Sequence, residues 1–181
     1  MLIRAGYALP ERPAFVGLRN AADPGDWNDA VCVVGPDVFM AVQGTCDPGR
    51  APMEGTGRIA VNRKGVARVM LGHYRDALYP GYHGHKKAHP APRQSPDVPF
   101  PVERWDGDTW VAHAPTVGPF NLHRASWSGS AQRVGDYSHG CIVVRRRQEH
   151  WRLILTAGYP EHGPTDADCD TRWDLFLLEW R

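Results

Sequence analysis

The chain has 181 residues, with 21 Lys or Arg against 20 Asp or Glu, and its formal net charge is +1. This length fits one domain, and the near-neutral charge argues against a protein that binds nucleic acid through the phosphate backbone. Hydrophobic residues make up 42% of the chain, enough for a buried core, so intrinsic disorder is excluded as a description of the whole. The 19 glycines and 16 prolines favour short strands joined by turns over a helical bundle.

The first half of the chain predicts two strand pairs. Residues 29–35 form an apolar run typical of a buried strand, and residues 37–44 form its hairpin partner across a Gly-Pro turn. Residues 45–57 are predicted to be a loop, and residues 57–74 a second strand pair that turns near Gly65. Residues 79–101 contain six prolines and little periodicity, which predicts either a long ordered loop, a kind of segment that is often functional, or a series of short extended pieces.

The second half predicts further strands and one helix. A hairpin is expected over 102–115, turning at Asp106-Gly107-Asp108, followed by a strand over 118–126. A turn and a strand are expected over 136–144, and a closing strand over 171–181. Residues 145–158 have the apolar spacing of a helix that ends near Gly158. The sequence therefore predicts one mostly-β (β-rich α+β) domain over 1–181, with a helix after Cys141.

The termini and the cysteines bear on location and redox state. The N-terminal residues lack the apolar segment of a secretory signal, and no run approaches the roughly 18 apolar residues of a membrane span. No two cysteines form a CxxC pair, which excludes a zinc ribbon and a thioredoxin-type motif. Cys32 lies in an apolar run and is expected to be a buried thiol, whereas Cys46 and Cys169 lie in polar loops and could pair.

Residues 120–144 hold the strongest indication of chemistry. A cysteine nucleophile needs a nearby base, donors for the developing oxyanion and an open turn. Cys141 follows Gly140, whose lack of a side chain opens the turn. His123 and His139 are the two candidate bases within this segment.

This pattern resembles the catalytic domain of the L,D-transpeptidase family (YkuD-type). The matching residues are a histidine followed, after 14 intervening positions, by Ser-His-Gly-Cys and an aliphatic residue. They are His123, Ser138, His139, Gly140, Cys141 and Ile142. Upstream segments, among them VGLRNA and TCDPG, are similar to a phage-associated branch of peptidoglycan-processing proteins. The sequence departs from the family at Arg124, where Gly is usual, and at Val143, where Asn or Arg is usual.

The resemblance implies an L,D-transpeptidase-like β-sandwich or barrel and a cysteine enzyme that acts on peptidoglycan stem peptides. Cys141 would be the nucleophile and His123 the base, oriented by a backbone carbonyl. The N–H groups around Gly140 and Cys141 would bind the oxyanion, and His139 would support the turn or touch substrate. No metal and no organic cofactor is required. The resulting thioester would meet water, giving hydrolysis, or a second stem amine, giving a cross-link.

Several neighbouring residues are candidate substrate contacts. A guanidinium at Arg124 suits a substrate carboxylate, and Trp127 lies between the two histidines of the motif. The loop over 79–101 is expected to form one wall of the groove. The predicted substrate-binding residues are Ser138, Arg124, His85, His89 and Trp127.

Two other hypotheses remain open. His83, His85 and His89 have a spacing that could ligate zinc, as in a zinc-dependent peptidoglycan peptidase. Alternatively, the domain is a non-catalytic virion or wall-binding module that retains the motif. The absent signal and the phage-like segments predict synthesis in the cytoplasm and delivery to the wall in a virion or lysis system. A catalytic Cys141 is expected to react with iodoacetamide faster than an ordinary thiol.

Overall fold

Strands dominate the computed structural model of the chain, which describes residues 1–20, 25–58, 63–84, 88–165, 168 and 170–180. Strands contain 43% of the residues and helices 13%, so the prediction of a mostly-β fold of the α+β type is confirmed. The strands are β1 (Ala14–Asn20), β2 (Asp29–Val34), β3 (Phe39–Thr45), β4 (Ala67–Val69), β5 (Gly72–His83), β6 (His89–Gln94), β7 (Phe100–Trp105), β8 (Trp110–Thr116), β9 (Leu122–Arg124), β10 (Ile142–Val144) and β11 (Trp173–Trp180). The helices are α1 (Arg50–Met53) and α2 (Arg147–Thr156).

Eight strands form one sheet in the order β6-β5-β11-β1-β2-β3-β10-β9. The two ends of this sheet approach each other: Arg93 and Asn121 form an antiparallel bridge, and the Gln94 N–H donates to the Phe120 carbonyl at 2.9 Å. The sheet is therefore a nearly closed barrel. Strands β4, β7 and β8 form a separate three-stranded sheet.

The predicted hairpins are confirmed. Strands β2 and β3 pair in antiparallel register from Asp29–Gly44 to Val34–Phe39, and β7 pairs with β8 up to Trp105–Trp110. The predicted helix is present as α2, and Gly158, with φ +84°, follows its C-cap residue Ala157. The predicted closing strand is β11, which pairs in parallel with β1. Sequence analysis placed no strand at β1.

Of the two predictions for 79–101, the long loop is wrong and the series of short extended pieces is confirmed. Residues 79–83 complete β5, which pairs with β6 from Leu78–Gln94 to His83–His89, and β7 begins at Phe100. Pro90 and Pro92 lie in β6, at the end of the sheet order. An edge strand tolerates proline, because a residue facing away from the ladder needs no N–H donor.

Of two other predictions, one needs correction and the other lies partly outside the described residues. Helix α1 interrupts the loop predicted over 45–57. The strand pair predicted over 57–74 is only partly described, because residues 59–62 lie outside the described ranges, and β4 pairs with β7 instead.

The barrel core positions the candidate site. Leu153 and Ile154 of α2 belong to the same buried cluster as Leu122 of β9 and Ile142 and Val144 of β10. Apolar burial of this kind contributes about 25 cal/mol per Å² removed from water. Helix α2 thus packs against both short strands of the motif. One strand carries His123, and the other begins directly after Cys141.

Candidate functional site

Strands β9 and β10 bring the two ends of the predicted motif together. They pair in parallel, with His123 opposite Val143, and the Ile142 N–H donates to the Asn121 carbonyl at 3.0 Å. Cys141 immediately precedes β10. The nucleophile and base predicted from sequence are therefore carried by adjacent strands, two residues out of register.

Gly140 and Ser138 shape the turn before Cys141. Gly140 has φ +135°, and a Cβ at this position would collide with the Ala67 carbonyl oxygen of β4. The Ser138 hydroxyl donates to the Cys141 carbonyl at 2.8 Å and accepts from the Gly140 N–H at 3.3 Å. Ser138 is fully buried and braces the turn, and its predicted contact with substrate stays untested. The Gly140 N–H, predicted to bind an oxyanion, is directed at this hydroxyl.

The Cys141 thiol is half-buried and hydrogen-bonded. It donates to the Pro119 carbonyl at 3.2 Å. Burial raises the pKa of the thiol to about 11, an effect that a hydrogen bond with the Asn121 backbone partly offsets. With this pKa the neutral thiol dominates at pH 7 in the resting structure, and the reactivity of Cys141 stays a prediction.

His123 is buried and has a defined orientation. Its Nδ1 lies 2.9 Å from the Arg124 carbonyl oxygen, an atom that only accepts, so Nδ1 carries the proton and Nε2 is left with its lone pair. Nε2 has no hydrogen-bond partner among the described residues, so it does not bond the Cys141 thiol in this state. Burial, followed by the neighbouring His83, lowers the pKa of His123 well below 6.5. The imidazole is neutral at pH 7 and able to accept a proton.

This base belongs to a cluster of four histidines. The rings of His83 and His123 stack with centroids 3.8 Å apart and planes 5° from parallel. His89 lies edge-on to both, at 5.4 and 6.1 Å, and 6.1 Å from His150. Asn121 contacts His83 Nδ1 through its side-chain nitrogen at 2.9 Å, while its backbone bonds Ile142.

The structure bears on the zinc hypothesis through His83 and His89, two of the three predicted ligands. Among the residues described, no group of three or more His, Cys, Asp or Glu is arranged to hold a metal ion. Because an imidazole binds metal in its ring plane, the stacked His83 and His123 cannot ligate one ion without reorienting. His85, the central member of the predicted triad and a predicted substrate contact, lies outside the described residues.

His139 lies apart from the histidine cluster. Its Nε2 is 3.7 Å from an Asp136 oxygen, too far for a hydrogen bond, and Asp136 accepts from the Arg58 backbone N–H. These contacts favour the predicted supporting role of His139 in the turn over a role as base.

A cavity of about 1150 Å³ lies between α2 and the segment that follows β9. The predicted substrate contacts Arg124, Trp127 and His89 line it, together with His150, whereas Cys141 and His123 do not. These predicted contacts therefore line a cavity whose lining does not include the thiol. Trp127 is 50% exposed, and the Arg124 guanidinium lies 4.4 Å from its ring centroid.

Sequence analysis missed three residues of the site. The Pro119 carbonyl accepts from the Cys141 thiol, and the Asn121 side chain contacts His83. No motif indicates either contact. His150 is buried on α2 with Nε2 3.3 Å from the Leu122 carbonyl oxygen, and burial lowers its pKa to about 4. The only sequence signal was a histidine on the apolar side of the predicted helix, next to Trp151.

The two described cysteines outside the motif are structural. Cys32 and Cys46 are buried free thiols, which confirms the prediction for Cys32. Burial raises the pKa of Cys32 to about 11. The pairing considered for Cys46 involves Cys169, which lies outside the described residues.

Within the described ranges, no helix has the length and apolarity needed to cross a membrane. No protein-family model, curated protein or solved structure matched the chain when it was compared with them, and the resemblance to L,D-transpeptidases accordingly stays a prediction based on the residues of the motif.

Proposed function

We propose that this protein is a cysteine-dependent enzyme that acts on peptidoglycan stem peptides through a Cys141 thioester. One observation carries the proposal: His123 is held by the Arg124 carbonyl with a bare Nε2, on the strand adjacent to the one that Cys141 precedes. A neutral imidazole of fixed tautomer is the form that a general base requires. The peptidoglycan substrate rests on the resemblance of the motif.

The proposed reaction conserves atoms and protons at each step. The Cys141 thiol proton passes to His123 Nε2 as the sulfur attacks the carbonyl carbon of an L-configured residue joined to a D-residue. The C–N bond then breaks, and the leaving amine takes the proton back from His123. Water or the amine of a second stem peptide attacks the thioester and regenerates the thiol.

Substrate binding has to activate the thiol in this scheme. At rest the thiol donates to Pro119, its pKa is about 11, and the pKa of His123 is well below 6.5, so proton transfer between them is strongly uphill. Rotation about the Cys141 Cα–Cβ bond would release the Pro119 carbonyl and turn the sulfur toward Nε2. The thiol and imidazole then act as a neutral pair, with the base removing the proton only during attack.

Hydrolysis is the outcome we propose over cross-linking, in a phage lysis or virion setting. This choice rests on the phage-like upstream segments, because both reactions share every step up to the thioester. The resting state of the thiol favours one competing function, a wall-binding module without catalysis, since a protonated cysteine bonded to a carbonyl also suits a structural residue.

The test is incubation with purified muropeptides of several wall chemotypes, followed by mass spectrometry. We expect loss of a terminal D-residue or a cut cross-link, whereas a new dimer would identify cross-linking instead. Cys141→Ala and His123→Gln should abolish the change, whereas Cys32→Ala, which removes a buried thiol from another part of the barrel, should retain it. A covalent adduct on the wild type that is absent from Cys141→Ala would identify the thioester.

The alternatives give different results. Activity that survives Cys141→Ala but is lost on treatment with a chelator would support the zinc enzyme. Binding to intact wall material with no product from any chemotype would support the non-catalytic module. Either result would overturn the proposed cysteine mechanism.

A further inference from the structure

The cavity beside α2 has an excess of positive charge. Its lining includes four arginines and one glutamate, in a protein whose formal net charge is only +1. The four arginines are Arg124, Arg146, Arg147 and Arg152. With a volume of about 1150 Å³, it is large enough for an organic ligand and not only for a free ion.

Arg124 is the informative member of this set. It is only 7% exposed, and its guanidinium donates to the Ser126 backbone carbonyl and lies over the Trp127 ring. No carboxylate lies within ion-pair distance of Arg124 among the described residues. A buried charge that lacks a counterion is costly unless a ligand supplies one.

Arg147 adds to the unbalanced charge. Burial, followed by the nearby Arg147, lowers the pKa of Arg124, so the two guanidiniums are close enough to repel each other. Arg147 donates to the Trp127 carbonyl at 3.3 Å. The glutamate of the cavity, Glu149, pairs with Arg146 at 3.2 Å, and among the described residues no carboxylate pairs with Arg124 or Arg147.

We propose that this cavity binds the oxyanion group, carboxylate or phosphate, of an organic ligand, with Arg124 and Arg147 as the two charged contacts. A planar guanidinium offers two parallel N–H donors to either group. The half-exposed Trp127 holds the Arg124 side chain in place and offers its ring to the rest of the ligand. The site does not include Cys141, and its existence does not depend on the proposed thiol chemistry.

Isothermal titration of the full chain tests this site. Citrate and inorganic pyrophosphate serve as the carboxylate and phosphate probes, and triacetin as the neutral control, at constant ionic strength. We expect at least one anion to bind and triacetin not to bind. Arg124→Gln and Arg147→Gln should each weaken binding about tenfold, the loss of one charged hydrogen bond. Arg133→Gln, an exposed arginine outside the cavity, and Cys141→Ser should leave it unchanged.

Stronger binding of citrate would identify a carboxylate ligand, and stronger binding of pyrophosphate a phosphate ligand. Arg147 is exposed on α2, so its variant tests the site even if Arg124→Gln does not fold. The proposal fails if neither anion binds, or if Arg147→Gln binds both as tightly as Arg133→Gln. Because Cys141→Ser is included, failure of the cysteine mechanism would leave this result unaffected.

Discussion

The imidazole of His83 lies flat against that of His123, with ring centroids 3.8 Å apart. Two charged rings at this separation would repel each other strongly in a buried site. The stack therefore works with burial to keep His123 neutral, and the Arg124 carbonyl decides which of its nitrogens holds the proton. Strand β5, which carries His83 and pairs with β6, thus influences the charge state of His123 on β9.

The tautomer of His123 is the first prediction. Nitrogen-detected NMR at pH 7 should show His123 protonated at Nδ1 and bare at Nε2, because a carbonyl oxygen can only accept from Nδ1. The signal should not titrate between pH 8 and pH 6, since its pKa lies well below 6.5. The exposed His113 serves as the reference. An Nε2-protonated or imidazolium form of His123 at pH 7 would contradict the structure.

The second prediction concerns cysteine reactivity. Iodoacetamide should label Cys141 slowly at pH 7 and faster as pH rises toward 11, because the thiolate is the reactive form and burial raises the pKa to about 11. Cys32 and Cys46 should react more slowly still in the folded protein, since both are buried. Peptide mapping of the labelled protein measures each site.

Labelling can also detect activation of the thiol. Addition of a stem-peptide substrate analogue should increase the rate at Cys141 and leave the rate at Cys32 unchanged. Faster labelling of Cys32 than of Cys141 without ligand would show that the half-buried turn is not formed as described.

The third prediction tests the turn. Gly140→Ala should lower the free energy of unfolding by more than about 3 kcal/mol, because the strain of a left-handed alanine, roughly 1–3 kcal/mol, adds to a collision with the Ala67 carbonyl. Gly107→Ala is the matched control: φ is +113° but no atom lies within 4 Å of the added Cβ. Urea unfolding should separate the two variants. Equal losses would mean that β4 does not contact the turn.

The fourth prediction is acid sensitivity caused by buried histidine. Burial lowers the pKa of His150 to about 4 in the folded protein, against about 6.5 when unfolded. Below pH 6.5 the unfolded chain therefore binds a proton that the folded chain does not. Stability is fully present above pH 6.5 and falls as pH drops toward 4, by on the order of 3 kcal/mol for this residue alone. His123 acts in the same direction.

Asp29 opposes part of this effect. Burial raises its pKa to about 6, so the folded state holds a proton that the unfolded chain has released, and stability falls as pH rises from about 4 to 6. Urea unfolding of His150→Leu should show a weaker decline toward pH 4 than the wild type. His113→Gln should follow the wild type. An unchanged pH profile in His150→Leu would rule out this residue as the source.

Local sequence predicted the elements whose signal is contained within a few residues. The Asp106-Gly107-Asp108 turn and the Gly-Pro turn after Val34 each produced the expected hairpin, because turn residues set the local backbone direction. The prolines over 79–101 indicate a loop, but the segment contains an edge strand, because an edge strand accommodates proline.

The sequence by itself determined the β-rich class, the helix after the motif and the alignment of one histidine and one cysteine at a spacing that two adjacent strands can carry. Only the tertiary structure decided the protonation of these groups and which residues contact them. The stack of His83 on His123 and the carbonyl that accepts from the Cys141 thiol both arise from segments distant in the chain. Burial and neighbouring charge set pKa values and binding, and both depend on which strands pack together.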